Sequence, residues 1–344
     1  MKKHKILVIV LLVFAVSFIS FSFYAYQAVQ TPNLLVEQPD RVLLIPEGTT
    51  FKQLQKKLHD EDYVNDLLSF SVLAKLMKYD ENIKPGRYLL RADMSNLSAV
   101  RLLRSGQQAP VNVTFNNVRL KHELAERLCE NLQADAAELE ALLNDEVVVA
   151  QYGFTTENVL GMFLPNTYEF FWTTTAPELL ERMAQEYEKF WTTERRQQAD
   201  SLGMTPVEVS ILASIVESET NKPDEAPVVA GLYLNRLDRN IALEADPTLV
   251  FAAQDFTIKR VLNKHKEIDS PYNTYKYPGL PPGPIRIPSI GAVQAVLNHQ
   301  DHNYIFMCAR EDFSGYHNFA TNLRTHNANA RRYQRALSAA GIYN

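Results

Sequence analysis

The sequence predicts an α+β protein: one N-terminal transmembrane helix, a small α/β unit, and a larger region of helices with a few short strands. Three observations predict it. Ile6–Tyr26 is a 21-residue run without a charge. After it, a strand, two helices, a strand and a helix fit into about 70 residues. Beyond that unit the apolar spacing is mostly helical, broken by short strand-like runs and by one proline-rich segment, 270–288.

The N-terminal run is long enough to cross a bilayer, which takes about 20 apolar residues. Lys2, Lys3 and Lys5 precede it, so the basic flank is expected in the cytoplasm and the rest of the chain outside. A cleaved signal peptide is the alternative, but no A-x-A site follows the run. A polar connector is expected over 27–38. At 344 residues the chain can hold two or three domains. A net charge of −5 and a pI near 5.9 argue against a nucleic-acid partner. Cys129 and Cys308 are either paired or two buried thiols, and spacing does not decide.

In the small unit, strand 41–45 leads through Pro46-Glu47-Gly48 into an amphipathic helix carrying Phe51, Leu54 and Leu58. A second helix is expected over 65–77, a strand within 83–90 and a helix over 97–103. The unit holds no cluster of nucleophiles or metal ligands, so binding or spacing is expected of it. A strand at 111–115 and helices at 120–132 and 135–143 follow. The run Leu160–Trp172 is aromatic and interrupted by Gly161 and Pro165. Its rings, Phe163, Tyr168, Phe170, Phe171 and Trp172, either pack as core or line a sugar groove. One long helix is expected over 177–199.

The organising element is the helix 205–220, TPVEVSILASIVESET. Thr205 suits the N-cap, Pro206 the first turn, and Glu208 closes a capping box. Ile211–Val216 is apolar nearly all round, which marks a buried helix. It ends in two carboxylates, Glu217 and Glu219. On a regular helix these point about 200° apart. Glu217 shares a face with Ser210, Ala213 and Ser214, leaving room for a ligand, whereas Glu219 falls near Ile211, Leu212 and Ile215. Either glutamate can be the desolvated acid on this reasoning. Further expectations are a helix over 226–239, a helical stretch over 255–264, an irregular loop over 270–288 (six prolines), a helix over 290–298, a strand over 304–309, a polar connection over 316–322 and a C-terminal helix over 325–340.

No zinc-protease, phosphate-loop, dinucleotide or serine-hydrolase motif is present. His299, Asp301 and His302 are spaced for a metal at best weakly, and no metal or cofactor is expected. What remains is carboxylate chemistry among amides and aromatics, as in polysaccharide cleavage.

Several spaced motifs resemble the MltG or YceG-like family of endolytic murein transglycosylases. They are Ala213–Thr220 with its two glutamates, Asn235-Arg236-Leu237, Asp246-Pro247-Thr248, Tyr272-Asn273-Thr274-Tyr275, Gly279–Ile285 with Pro288, and Asn318 with Asn322. The resemblance covers the whole chain and implies its division: 1–30 as cytoplasmic stub and anchor, 31–110 as a LysM-like subdomain, 111–344 as the catalytic region with its motifs at 205–322. It assigns Glu217 as the catalytic glutamate and places Leu164–Tyr168 on the substrate side. One departure is Asn221–Pro227, where two prolines replace a more continuous helical run. Glu219, Asn235, Asp246, Asn273, Tyr275 and Tyr168 are expected to bind substrate or orient Glu217. Glu219 and Asp246 can alternatively hold Arg236 in an ion pair.

The resemblance implies lytic cleavage of the MurNAc–GlcNAc bond of nascent peptidoglycan strands, leaving 1,6-anhydro-MurNAc ends and limiting strand length, beside cell-wall synthases in the membrane. Two other readings stand beside it. A membrane-anchored peptidoglycan-binding scaffold explains the anchor and aromatics without catalysis. A hydrolase pairing Glu217 with Asp246 needs the two carboxyls across one cleft.

Overall fold

The computed structural model describes residues 2–36 and 40–341; the Glu37–Pro39 part of the expected connector lies outside the described residues. Among the described residues, helices alternate with three two-stranded sheets, so the α+β expectation holds. The chain divides into two compact units, one built mainly from residues 1–112 and one mainly from the remainder.

The first unit begins with the apolar helix Lys2–Gln30. No residue of its most apolar stretch is buried in protein, as suits a helix solvated by lipid. The helix continues four residues into the expected connector, to Gln30. Strand Asp40–Ile45 then pairs antiparallel with Gly86–Arg91, Leu43 opposite Tyr88. Between them lie helices Phe51–Asp60 and Leu67–Leu76, and after them Asn96–Ser105, in the order read from the sequence. Thr50 and Gln53 close a capping box on the first, Asp66 caps the second, and Ser95 caps the third, which stops at left-handed Gly106. Leu43, Leu54, Phe70, Tyr79, Tyr88 and Val100 form one buried core, each at most 1% exposed.

The larger unit is organised around helix Pro206–Glu219. Thr205 Oγ1 accepts from Glu208 N at 3.2 Å and Glu208 Oε2 accepts from Thr205 N at 2.7 Å. All eight residues from Val209 to Val216 are buried. The large apolar ones each contribute roughly 1.5–3 kcal/mol, gross, through burial. Around the helix pack Ala226–Asp238, Asp246–Ala253 and Ile290–Leu297. Strands Phe306–Ala309 and His317–Ala320 pair antiparallel and rest on the C-terminal helix Leu323–Ala339.

Three expectations about elements are corrected. The stretch 177–199 is two helices, Ala176–Phe190 and Thr193–Ser201. Buried Trp191 leaves helical geometry, and Thr192 caps the second helix on Arg195 N. The stretch 255–264 is not a helix: Asp255 accepts from Thr257 N and hydroxyl in a local turn, which competes with helical bonding, and only Asn263–Lys266 makes a turn. Within 316–322 lies a strand, because His317–Ala320 finds a partner in Phe306–Ala309 that its composition does not announce.

The loop 270–288 is irregular, as its prolines require. Gly283 is forced by close approach: a Cβ there would stand 2.0 Å from the backbone oxygen of Glu157. Gly283→Ala is therefore expected to lower stability by about 1–3 kcal/mol, measurable by urea unfolding. Gly279 is left-handed at φ +89° with open space around it, so Gly279→Ala should cost less, about 1 kcal/mol.

Candidate active site

Prolines cannot donate backbone hydrogen bonds, and while the start of the loop bonds within itself, its proline-rich end finds its acceptors outside. Three alternate amides do this with outside acceptors. Ile285 N donates to Ser214 Oγ at 3.1 Å, Ile287 N to the Val118 carbonyl at 2.8 Å, and Ser289 N to Glu217 Oε2 at 2.9 Å. Two of these acceptors sit on the buried helix one turn apart. Ser214 passes its own proton to Ile211 O at 2.7 Å, which orients its lone pair at the loop. Glu217 is thereby fixed at the loop edge.

Glu217 lines an open cleft of about 950 Å³, together with Arg119, Glu219, Asp246, Phe256 and Arg286. Its side chain is 24% exposed, and Arg286 Nε stands 3.8 Å from Oε2. That Nε is buried without a hydrogen-bond partner, while Nη2 of the same group donates to Asn117 Oδ1. Among the described residues, Glu217 Oε1 has no hydrogen-bond donor. The carboxylate thus has one oxygen tied to the protein and one turned to other use.

Glu219 is held differently. Its Oε1 accepts from Tyr233 hydroxyl at 2.9 Å. Burial pushes its carboxyl up to about 7; the Tyr233 bond opposes this, the negative Asp246 adds to it, and Arg236 opposes. The residue keeps some exposure because it borders both the main cleft and a second cavity of about 420 Å³, but its carboxyl is packed round by protein. Asp246 borders both cavities as well and accepts from Tyr275 hydroxyl at 2.6 Å. Tyr275 is held above the ordinary phenol range by burial and then by that bond.

The structure brings Glu217, Glu219 and Asp246 into one cleft and places Tyr275 behind Asp246. The three other residues expected at the substrate, Asn235, Asn273 and Tyr168, are bonded within the protein. Asn235 spends its amide on the carbonyls of His302 and Tyr304, at 2.7 and 3.1 Å, tying two segments together. Asn273 is fully buried. It donates to Lys266 O and Ile268 O and accepts from Tyr275 N and Lys276 N, so it shapes the turn that presents Tyr275. Tyr168 is buried, donates to Leu164 O at 2.7 Å and stacks on Phe115 at 5.9 Å. Phe163 and Phe170 are buried likewise. The suggested ion pair of Arg236 with Glu219 or Asp246 does not form: Arg236 binds Glu244 at 3.0 Å and the carbonyls of Ala242, Leu243 and Ile305.

Sequence reasoning missed Tyr233, Arg119, Phe256 and Arg286. Tyr233 lies two residues before the noted Asn235, and Arg286 lies inside the noted loop, but only folding puts them beside a carboxylate. Both cysteines are free thiols. Among the described residues no three His, Cys, Asp or Glu side chains are grouped to hold a metal ion.

Fold and site define an α+β protein with an apolar N-terminal helix and an open cleft carrying three carboxylates. The chain belongs to the YceG-like family, whose sequence model matches residues 43–332. It is 27% identical to a protein of Streptococcus pneumoniae serotype 2 named endolytic murein transglycosylase, over 96% of this chain and 65% of that one. It therefore spans under two thirds of that relative's length. A Bacillus subtilis protein of the same name is 25% identical over 84% of this chain and 83% of its own. The crystal structure of a YceG-like protein from Listeria monocytogenes superposes with a TM-score of 0.56 at 25% identity, covering 84% of this chain and 98% of that one.

Glu219 generates a pH prediction. Its folded pKa lies above the ordinary 4.5, so its contribution favours folding at low pH and is lost as pH rises through about 7. Glu219→Gln should flatten this slope, leaving stability little changed at pH 4.5 and raising it at pH 8 by about 1–3 kcal/mol. Urea unfolding across that range reads the difference.

Proposed function

We propose that this chain is an endolytic murein transglycosylase held to the cytoplasmic membrane by its N-terminal helix, with Glu217 as its catalytic acid and base. The observation that carries the reading is Glu217 itself: a carboxyl at the end of a rigid buried helix, one oxygen fixed by Ser289 N and the other open to a large cleft. The names of the pneumococcal and Bacillus relatives support the reaction class.

In this reading Glu217 gives a proton to the oxygen linking MurNAc to GlcNAc as that bond breaks. Charge builds at C1 of the MurNAc. The carboxylate then takes the proton of the C6 hydroxyl on the same sugar, whose oxygen closes the 1,6-anhydro ring. No water is consumed and Glu217 ends protonated as it began. The nucleophile is part of the substrate, so proximity replaces a second enzyme carboxylate. Arg286 stands beside Glu217 where it can stabilise the carboxylate stage. Glu219 and Asp246 are substrate-side groups in the same cleft, Tyr275 holds Asp246, and Asn235, Asn273 and Tyr168 build the walls. Residues 31–110 serve as a LysM-like glycan-binding subdomain, and 111–344 as the catalytic region. The lysines before the span keep the N-terminus cytoplasmic, so the cleft meets nascent strands outside the membrane, beside the synthases that make them.

A second reading makes Glu219 the acid, because burial holds its proton to about pH 7. Mass spectrometry of products from purified glycan strands separates the possibilities. Wild type should leave anhydro-MurNAc ends, and Glu217→Gln should cut about 10²–10⁴-fold more slowly with unchanged unfolding. Full activity in Glu217→Gln with loss in Glu219→Gln moves the acid to Glu219. Reducing ends point to a hydrolase using Asp246, and uncut strands to a binding scaffold.

A further inference from the structure

The helix Leu67–Leu76 carries an apolar face that the small unit does not bury. Leu68, Val72 and Leu76 are 70%, 51% and 76% exposed. Their spacing of four residues puts them in one stripe along the helix, while Phe70, Leu73 and Ala74 on the other side join the core. Lys75 is exposed beside the stripe. The other exposed large apolar side chains between residues 31 and 112, Leu35 and Val42, are less exposed, at 41% and 37%.

The position of this stripe is fixed relative to the anchor. Asn96 Nδ2 donates both to the Ala28 carbonyl, at 2.8 Å, and to Ser69 Oγ, at 2.9 Å. Asn33 bonds Asn96 Oδ1 at 2.7 Å and the Asp66 carbonyl at 3.0 Å, and its own Oδ1 accepts from Asp66 N at 2.8 Å. Three polar side chains therefore lock the start of this helix to the last turn of Lys2–Gln30, and the two helices pack together. The uncharged run Ile6–Tyr26 is about 32 Å long as a helix, close to the thickness of a hydrocarbon core. Ala28 then lies about 3 Å beyond its edge, at headgroup depth, and Leu68 beside Ser69 lies at the same level.

We propose that Leu68, Val72 and Leu76 rest in the outer surface of the bilayer that holds the anchor, with Lys75 among its anionic headgroups. Continuity with the span selects lipid as the occupant: a stripe locked beside the membrane exit of the anchor meets lipid before any other partner. Apolar side chains entering the acyl boundary and a cation above them is the pattern of interfacial helices. The small unit is then seated on the membrane and not swung from it. This inference rests on the anchor reading above.

The test uses the full chain, with Cys129→Ala and Cys308→Ala, reconstituted in vesicles of phosphatidylethanolamine and phosphatidylglycerol. A nitroxide is placed at Val72→Cys, and in a second sample at Asp301→Cys, whose side chain is fully exposed. Collision with oxygen, which enters lipid, is compared with collision with a water-soluble nickel complex. The oxygen-to-nickel ratio at 72 should exceed that at 301 several-fold. Equal ratios in protein that floats with the vesicles overturn this inference and leave the anchor standing. Exclusion of both reagents, with spin–spin broadening that grows with protein density, overturns it in favour of a second copy on the stripe. Protein that fails to float overturns the anchor and this inference with it.

Discussion

The structure of the larger unit depends on two side chains of one buried helix holding the proline-rich end of a loop. Ser214 and Glu217 accept the amides of Ile285 and Ser289, and the carbonyl of Val118 takes the one between. A proline-rich segment has too few donors to form a sheet or helix of its own. Packed against the core, its free amides each cost the desolvation of an unmade hydrogen bond, so they dictate where it lies. The loop edge, the cleft wall and the orientation of Glu217 follow from those three bonds together.

Two glutamates two residues apart consequently live in different surroundings. Glu217 leaves the helix on the side where the loop supplies an amide and Arg286 supplies a charge. Glu219 leaves on the side of the Ala226–Asp238 helix, where Tyr233 donates and burial holds a proton. Carboxyls set apart by environment in this way can take different tasks in one cleft. The Tyr272–Tyr275 turn adds a third: Thr274 bonds Thr248 and Ala245 N, and this places Tyr275 on Asp246.

Polar side chains elsewhere mostly serve as internal ties. Asn235, Asn273 and Arg236 each satisfy two or more backbone carbonyls. An amide or guanidinium is a good tie because it offers several donors at fixed angles. At the end of the central helix, Thr220 donates to buried Glu225, which also accepts from the backbone and ring of His317. That carboxylate joins the helix end to the last hairpin, across the segment Asn221–Pro227 with its two prolines.

Local chemistry was legible in the sequence. The charge-free run gave the long N-terminal helix, and Thr205 with Glu208 gave the start of the central one. The prolines gave the irregular loop, and the motif spacing gave the family. These are decided within a few residues by solvation, capping and backbone sterics. Tertiary structure alone decided which polar residues face the cleft. Asn235, Asn273 and Tyr168 carry the same hydrogen-bonding groups as a sugar site, and nothing in their types or spacing shows that buried carbonyls claim them first. The strand His317–Ala320, the break at Trp191 and the pairing of Arg286 with Glu217 likewise depend on partners far along the chain, and only packing brings those partners within reach.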